Sequence, residues 1–347
     1  TGLSLTKGES RAVTINDIAR MAGVSKGTVS RVINHNPQGV SEQTRQRILE
    51  LIEEVGYIPN RVAGSITLAR TKTIGLIIPD IQNMFFPQMV RGVEDCAMEN
   101  GYTLFLCNSD SNIHKEQQYL RAFLEKRVDG ILVNTCGELE DRSLYRSVCQ
   151  SGIPMVLLDR KSRDFTDKPG VYVDNQEAAY SGVTHLIDTG CRNILFLGGP
   201  KGVYTTGERL KGYRQALREA EIPFQKEYIT YGAYSTASGY ERVRHIIEAY
   251  PETDAIFAGA DTIAIGVLRA LRELNIPVPG QVSVLGFDNI MLSADLTPTL
   301  TTVAQPIYEM GYRAARKLLA LIGGDPEGAK SECMSTTLVQ RESTRSR

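Results

Sequence analysis

The pattern of apolar and polar positions divides the chain into a short helical region and a longer region of alternating strands and helices. Between residues 13 and 56, apolar residues recur three or four positions apart and predict three amphipathic helices. Polar residues suited to N-caps, Thr14, Ser25 and Ser41, precede them, and Gly23 separates the first two. Two short helices joined by a glycine-containing turn are typical of a helix-turn-helix, whose second helix can enter the major groove of DNA.

The second of these helices presents small and basic residues on the side that its apolar residues leave free. They are Lys26, Gly27, Thr28, Ser30 and Arg31. From residue 11 to residue 47, six Lys and Arg residues oppose two acidic residues, whereas the whole chain has a formal net charge of −1. A basic segment at one end of a near-neutral chain indicates a polyanionic partner there; the alternative is a small helical bundle with solvated basic side chains.

From Thr73 onward, apolar runs alternate with amphipathic segments, which predicts parallel sheets covered by helices on both faces. The runs form a first series of about four strands and a second of about five that begins near Gly170, so we expect two such units. The segment TLTTVAQP and the helix after it are expected to return to the first unit, and STTLVQRES to form a last edge strand. The predicted fold class is α/β with an N-terminal helical headpiece.

At 347 residues, the chain is long enough for about two or three domains. We expect a disordered tail over residues 1–12, a headpiece over 13–58, a linker over 59–72 and a core over 73–345. Within the core, residues 73–172 and 305–335 are expected to form the first subdomain, and 173–304 and 336–345 the second. The composition of the linker suits either a flexible tether or a short helix of one or two turns.

Several classes of protein are disfavoured by the sequence. No apolar run approaches the ~18 residues of a membrane span and no leader precedes the first helix, so we expect a soluble cytoplasmic protein. The six cysteines lack a CxxC pair and the four histidines are dispersed, which favours reduced thiols and no metal site. The segment LFLGGPKG lacks the spacing of a phosphate-binding loop, and no nucleophile motif is present. We therefore expect no enzyme and no cofactor.

Polar residues recur where the predicted strands of the core end. They are Asp80, Asn108, Asn134, Asp159, Arg160, Asp261 and Asp288. In open α/β sheets, ligands bind at the carboxyl ends of the strands. Two facing units would place these side chains around a cleft for a small molecule.

Six stretches of the chain, in the same order, resemble the LacI/GalR family of bacterial transcription regulators: TINDIARMAGVSKGTVSRVIN, SEQTRQRILELIEEVGYIPNRVA, TKTIGLIIPDIQNMFF, RVDGILV, DTIAIGVLRAL and VLGFDN. The resemblance extends from about Val13 to Ser343. It implies a homodimer whose paired headpieces bind a pseudo-palindromic operator, and a core like that of periplasmic binding proteins that senses a small effector. No leucine heptads follow Arg341, which favours a dimer over a tetramer.

The resemblance also implies which residues contact DNA. Lys26 and Gly27 correspond to base-contacting positions and Arg31 to a further DNA contact. Thr14, Thr28 and Ser30 would contact phosphates, and the remaining expected DNA contacts are Ser25, Asn34, Asn60, Arg61, Ala63 and Ile66. A hinge helix would begin at Asn60, and Ile66 takes the place of the leucine that wedges into the minor groove. Because this chain has Gly64 where the family commonly has arginine, we expect a hinge that folds only on the operator.

The core resembles ribose-type sugar-binding proteins and ribose repressors, and this resemblance implies a set of effector contacts. They are Asn83, Phe85, Phe86, Asp159, Arg160, Arg209, Tyr234, Ala260, Asp261, Asp288 and Gln305. Aromatic faces would cover the C–H side of a sugar, and carboxylates and guanidiniums would bind its hydroxyls. Ala260 replaces an asparagine of the family, which leaves a hydroxyl unpaired or makes room for another substituent. The implied effector is therefore a sugar or a sugar acid, with another pentose or a hexose as alternatives to ribose.

Two further interpretations remain open. A regulator of the catabolite-control type, which responds to a phosphorylated partner protein, fits the stretches IIPDIQNMFF and LCNSD. A sugar-binding protein of a transport system is a poorer fit, because it would need an export leader and would not carry a helix-turn-helix. Whether the effector releases the operator or tightens its binding does not follow from the residues.

Overall fold

In a computed structural model that describes residues 13–33, 38–57, 70–137 and 141–346, the chain divides into two units between Thr71 and Lys72. The first unit contains three helices: α1 (Ile15–Ala22), α2 (Lys26–Ile33) and α3 (Glu42–Glu54). Its buried core includes Ile18, Ala22, Val29, Val32 and Ile48. The predicted inward positions of the three helices are thereby confirmed for these five residues.

The caps predicted for the headpiece are confirmed. Thr14 and Asp17 form a capping box, in which the Asp17 amide donates to Thr14 Oγ1 at 3.4 Å and the Thr14 amide donates to Asp17 Oδ2 at 3.0 Å. Ser25 Oγ accepts a hydrogen bond from the Thr28 amide at 3.1 Å, which fixes the start of α2. Gly23 ends α1 with a φ of +67°, a conformation that glycine adopts without strain.

In the second unit, strands alternate with helices along the described residues. The strands are β1 (Thr73–Ile78), β2 (Thr103–Asn108), β3 (Gly130–Val133), β4 (Met155–Leu158), β5 (Gly170–Val173), β6 (Ile194–Gly198), β7 (Ile229–Tyr231), β8 (Ala255–Ala258), β9 (Ser283–Asp288), β10 (Thr301–Ala304), β11 (Glu332–Met334) and β12 (Thr337–Val339). The helices are α4 (Phe85–Glu99), α5 (Ile113–Lys126), α6 (Arg142–Gln150), α7 (Asn175–Asp188), α8 (Tyr204–Glu219), α9 (Thr236–Ala249), α10 (Asp261–Glu273) and α11 (Ile307–Gly323).

These strands form two sheets, as the alternating pattern predicts, but each sheet has six strands rather than the expected four or five. The first has the order β11-β5-β4-β3-β1-β2 and is parallel throughout; the second has the order β12-β10-β9-β8-β6-β7, with β12 antiparallel to β10. We call the first sheet with α4–α6 and α11 the first lobe, and the second sheet with α7–α10 the second lobe. The chain passes between the lobes three times, after β5, β10 and β11.

Two sheet memberships expected from the order of the strands are wrong, and they also differ from the expected subdomain bounds, which put residues 170–172 in the first subdomain and residues 299–304 in the second. The strand at Gly170 does not begin the second series, because β5 pairs with β4 through Leu157 and Leu158 and belongs to the first sheet. The TLTTVAQP segment does not return to the first unit, because β10 pairs with β9, although α11 after it does pack on the first sheet. Apolar periodicity identifies a strand, but it does not determine which neighbour that strand pairs with.

In the second lobe, α9 and α10 pack in backbone contact at two glycines. A Cβ atom at Gly239 of α9 would lie 2.2 Å from the carbonyl oxygen of Ile263 on α10. A Cβ atom at Gly266 of α10 would lie 2.1 Å from the carbonyl oxygen of Thr236 on α9. Both positions therefore require glycine for the observed helix separation.

Gly239→Ala is expected to lower the free energy of unfolding by about 1–3 kcal/mol, because the methyl group must push two helices apart. Gly207→Ala is the matched control: Gly207 lies inside α8, and a Cβ atom there would have no neighbouring atom within 4 Å, so alanine should raise stability by up to ~1 kcal/mol. Urea denaturation of the two variants measures both effects. Equal stability of the two variants would contradict the packing described.

No described helix has both the length and the apolar content needed to cross a membrane.

Candidate functional site

A cavity lies between the two lobes at the carboxyl ends of their strands, and it is open to solvent on one side, with about 260 Å³ of space when that open part is included. The first lobe contributes Asn83, Phe85, Phe86, Asp159 and Arg160, and the second contributes Thr205, Arg209, Tyr234, Ala260 and Asp288. Nine of the eleven predicted effector contacts are in this wall. The structure thus brings together residues that are more than 200 positions apart in sequence.

The aromatic part of the wall comes from the start of α4. Asn83 Oδ1 accepts a hydrogen bond from the Phe85 amide at 3.1 Å, which fixes the turn before the helix. The rings of Phe85 and Phe86 pack edge to face, with centroids 5.2 Å apart and an interplanar angle of 87°. The two buried rings provide apolar surface for the C–H groups of a ligand.

Asp159 and Arg160 follow β4 and provide charged groups on the same side. Asp159 has a φ of +63°, which is uncommon outside glycine and is often found at ligand sites. Asp159 Oδ2 accepts from Asn134 Nδ2 at 3.2 Å, and Arg160 Nη1 donates to the Thr135 carbonyl at 3.1 Å. Within the part of the chain that the structure describes, Asp159 Oδ1 and Arg160 Nε are buried without a hydrogen-bond partner. An acceptor and a donor thus lie unsatisfied at adjacent residues.

Arg209, on α8, is held rigidly in the opposite wall. Its Nε donates to Asn175 Oδ1 at 2.9 Å, and its Nη1 donates to the Gly259 carbonyl. The guanidinium carbon lies 3.7 Å from the centroid of the Phe287 ring, and Nη2 lies 3.6 Å from Asp288 Oδ1. These contacts fix the guanidinium plane before any ligand binds, which lowers the entropic cost of recognition.

The cavity wall carries charged groups of both signs. Asp159 and Asp288 face the guanidiniums of Arg160 and Arg209, so the four charges cancel when all are ionised. Burial raises the pKa of both carboxyls, while the charge of Arg209 acts in the opposite direction on each. Carboxyls and guanidiniums in this arrangement offer both acceptors and donors to hydroxyl groups.

On the headpiece, Lys26, Gly27 and Arg31 are exposed and Thr28 and Ser30 are half-buried on α2. Val29 and Val32 of the same helix are buried, so the polar side predicted from the sequence is its outer side. The hydroxyls of Thr14 and Ser25 take part in the caps of α1 and α2. The predicted DNA contacts Asn34, Asn60, Arg61, Ala63 and Ile66, and with them the expected hinge, lie outside the described residues.

Comparison with known proteins identifies the family. The family described as bacterial regulatory proteins, lacI family, matches residues 14–60, and a periplasmic binding protein-like domain matches residues 183–344. Catabolite control protein A of Priestia megaterium is 40% identical over 308 residues, which cover 88% of this chain and 91% of that protein. The chain belongs to the LacI family of bacterial transcription regulators.

Two further comparisons cover nearly the whole LacI-family chain. The ribose operon repressor of Halalkalibacterium halodurans is 37% identical over 332 residues, or 96% of this chain and 97% of that protein. The crystal structure of the lac repressor dimer bound to operator and the anti-inducer ONPF matches with a TM-score of 0.84 and 27% identity, over 97% of this chain and 100% of that chain. The predicted family and fold class are confirmed.

Two predicted effector contacts of this LacI-family regulator are not in the cavity wall. Asp261 is fully buried behind it and accepts from Ser293 Oγ and Thr302 Oγ1, each at 2.6 Å, and from the Ile290 amide at 3.0 Å. The structure thus gives Asp261 a role in holding the second sheet together. Gln305 Nε2 donates to Asp288 Oδ1 at 2.7 Å, so Gln305 supports a wall residue from behind.

One wall residue, Thr205, is not among the contacts predicted from the sequence. Thr205, in the first turn of α8, lies 3.1 Å from the hydroxyl of Tyr234 through its Oγ1 atom, and Thr206 Oγ1 lies 2.7 Å from the same hydroxyl. The feature of the sequence that could have indicated a binding role for Thr205 is its position just after the LGGPKG turn that ends β6. Threonine is too common at helix starts for residue type alone to distinguish this position.

Proposed function

We propose that this LacI-family regulator represses carbohydrate-metabolism genes and is controlled by a small sugar or sugar acid that binds between its two lobes. It acts in the bacterial cytoplasm as a homodimer on a pseudo-palindromic operator. Lys26 and Gly27 on the exposed side of α2 approach the bases, and Arg31 makes a further DNA contact. Thr14, Thr28 and Ser30 contact phosphates. No catalytic step is part of this proposal.

The cavity wall carries the proposal. Two buried phenylalanine rings, two carboxyls and two guanidiniums converge from both lobes on this cavity. The unpaired Oδ1 of Asp159 can accept a hydrogen bond from one ligand hydroxyl, and the unpaired Nε of Arg160 can donate one to an adjacent hydroxyl. A ligand that is apolar on one side and hydroxylated on the other, as a sugar ring is, satisfies both kinds of surface. The name of the ribose operon repressor among its relatives supports the same class of effector.

Contacts from both lobes also supply the mechanism of control. A ligand that touches Arg160 in one lobe and Arg209 in the other favours one relative arrangement of the lobes over the alternatives. The three connections between lobes allow such a change without unfolding either sheet. Since the headpieces of a dimer must match the spacing of two half-sites, a change in lobe arrangement alters operator affinity.

Thermal-shift screening followed by calorimetry tests the effector class. The panel contains D-ribose, D-xylose, L-arabinose, D-glucose, D-galactose, D-gluconate and D-galacturonate. We expect at least one of them to raise the melting temperature through preferential binding to the folded state. No shift and no measurable heat with any of them would contradict the sugar-effector assignment.

A regulator of the catabolite-control type is the second candidate, and the 40% identity to catabolite control protein A favours it. In that case a phosphorylated partner protein, rather than a sugar, would change operator affinity. Gel shifts with the sugar panel and with a phosphorylated partner protein distinguish the two. If operator affinity changes with the phosphorylated partner protein and with no sugar of the panel, the catabolite-control type becomes the favoured function.

A further inference from the structure

Glu116 is a buried acid behind the first-lobe wall that the proposed function does not use. It lies in the first turn of α5 and is 1% exposed. Its Oε2 accepts a hydrogen bond from the Cys136 amide at 2.8 Å, and its Oε1 lies 2.7 Å from Thr135 Oγ1. Both partners belong to residues 134–137, the segment that follows β3, which we call the support loop. Glu116 therefore anchors the support loop to α5.

The support loop in turn holds the two charged residues of the wall. Asn134 donates from Nδ2 to Asp159 Oδ2 at 3.2 Å, and the Thr135 carbonyl accepts from Arg160 Nη1 at 3.1 Å. The unpaired atoms of the wall, Asp159 Oδ1 and Arg160 Nε, are on these same two side chains. A shift of the support loop would thus move the groups that face the cavity.

The contacts of the Thr135 hydroxyl indicate the protonation state of Glu116. Thr135 Oγ1 lies 2.7 Å from Glu116 Oε1 and 2.8 Å from the carbonyl oxygen of Gly137. A carbonyl can only accept and a hydroxyl has one hydrogen, so that hydrogen cannot serve both short contacts well. Both contacts become hydrogen bonds if a protonated Glu116 donates to Thr135 and Thr135 donates to Gly137.

The surroundings of the carboxyl agree with this proton count. Burial raises the pKa of Glu116, although hydrogen bonds from Cys136 and Thr135 and the charge of Arg160 act in the opposite direction. The titratable or charged groups that act on it from neighbouring elements are the Cys136 thiol after β3 and the Arg160 guanidinium after β4. Burial also raises the pKa of the Cys136 thiol, so that this thiol stays neutral.

We propose that Glu116 is a positioning residue of the cavity: a protonated buried acid that fixes the support loop and, through it, Arg160 and Asp159. The importance of this role for effector binding rests on the proposed function. The geometric role itself does not, because it can be measured without a ligand.

Three variants test the proposal. Glu116→Gln retains an acceptor for the Cys136 amide and a hydrogen for Thr135, and so imitates the protonated acid. Glu116→Ala removes both. Glu125→Gln is the matched control, because Glu125 is an exposed residue of the same helix. The first measurement is hydrogen exchange at the Cys136 amide in full-length protein. We expect wild-type protection in Glu116→Gln and in the control, and protection reduced about tenfold or more in Glu116→Ala.

The second measurement is the melting temperature of wild type and Glu116→Gln at pH 5 and pH 8. A carboxyl whose folded pKa is raised above 4.5 stabilises the fold most at low pH and loses that contribution as the pH rises toward the folded value. Glutamine does not titrate, so we expect the difference in melting temperature to shift in favour of Glu116→Gln at pH 8. The melting temperature of the control, Glu125→Gln, should differ from that of the wild type by the same amount at pH 5 and at pH 8.

The third measurement is calorimetry with the panel sugar that raises the wild-type melting temperature most. Affinity should fall about tenfold or more in Glu116→Ala and stay within about twofold in Glu116→Gln. If no sugar binds wild type, the proposed function has failed, and the first two measurements still decide the role of Glu116. Unchanged Cys136 protection in Glu116→Ala would overturn the positioning role, and parallel melting temperatures at both pH values would overturn the protonated state. If Glu116→Ala does not fold, Glu116→Leu replaces it, and unchanged Cys136 protection in that variant would overturn the positioning role. Loss of Cys136 protection in Glu116→Gln would overturn the protonated state.

Discussion

Arg160→Ala is expected to abolish the sugar response and to leave operator binding nearly unchanged. The Arg160 side chain is only 7% exposed, lines the cavity and lies 3.8 Å from the carboxylate of Asp159. Its removal deletes a donor to the ligand and leaves the buried Asp159 without its charged neighbour. Loss of one member of a buried charged pair at a binding site costs about 2 kcal/mol or more, or roughly 30-fold in affinity. Calorimetry with the best panel sugar measures the loss.

The control for Arg160 is Arg218→Ala, which removes an exposed arginine at the outer end of α8. This variant should keep the sugar affinity of the wild type. Operator binding by fluorescence anisotropy completes the test, because Arg160 lies in the core unit and not in the headpiece. Weakened operator binding with an intact sugar response would contradict the assignment of Arg160 to the cavity.

Lys26→Ala is expected to change which DNA sequences the protein prefers. Lys26 is the first residue of α2 and is exposed there, next to Gly27, whose lack of a side chain permits close approach to base edges. A base contact made by such a residue contributes about 1–3 kcal/mol of discrimination at its base pair. Selection from a random duplex library, for wild type and variant in the same salt, measures the change in preference.

Arg47→Ala is the control for Lys26, since Arg47 is an exposed cation of α3. It should leave the preferred sequence unchanged. Loss of a lysine that contacts only phosphate has a different effect. It lowers affinity for all duplexes alike, and it reduces the slope of log affinity against log salt concentration by about one. If Lys26→Ala lowers affinity for all duplexes equally and leaves their ranking unchanged, Lys26 contacts phosphate rather than bases.

The headpiece was the most predictable part of the molecule, because its determinants are local. Thr14 and Asp17 lie three residues apart, and that spacing alone is sufficient for a capping box. Sheet membership was less predictable. The strand at Gly170 is followed by a helix of the second lobe, yet its own backbone pairs with β4 in the first sheet. Pairing is a long-range property that the apolar pattern of one strand does not contain.

The cavity was predictable to the extent that parallel strands end at one edge of a sheet. Asp159 and Asp288 end or follow buried strands, and both line the cavity. Asp261 follows a buried strand in the same way but is turned into the second lobe, where its partners Ser293 and Thr302 lie 32 and 41 positions further along the chain. No property of Asp261 in the sequence distinguishes it from Asp288. The contacts that decide between a structural and a binding role exist only in the folded lobe.

The most direct test of sugar control over DNA binding is operator affinity measured with and without sugar. A duplex selected by the wild-type protein from a random library is titrated by fluorescence anisotropy, first alone and then with the best panel sugar at saturation. We predict that Kd for the duplex changes by about 5- to 150-fold, the usual range of coupling between two sites, and that Arg160→Ala removes the change. An identical Kd in both titrations, for a sugar that calorimetry shows to be bound, would contradict this coupling.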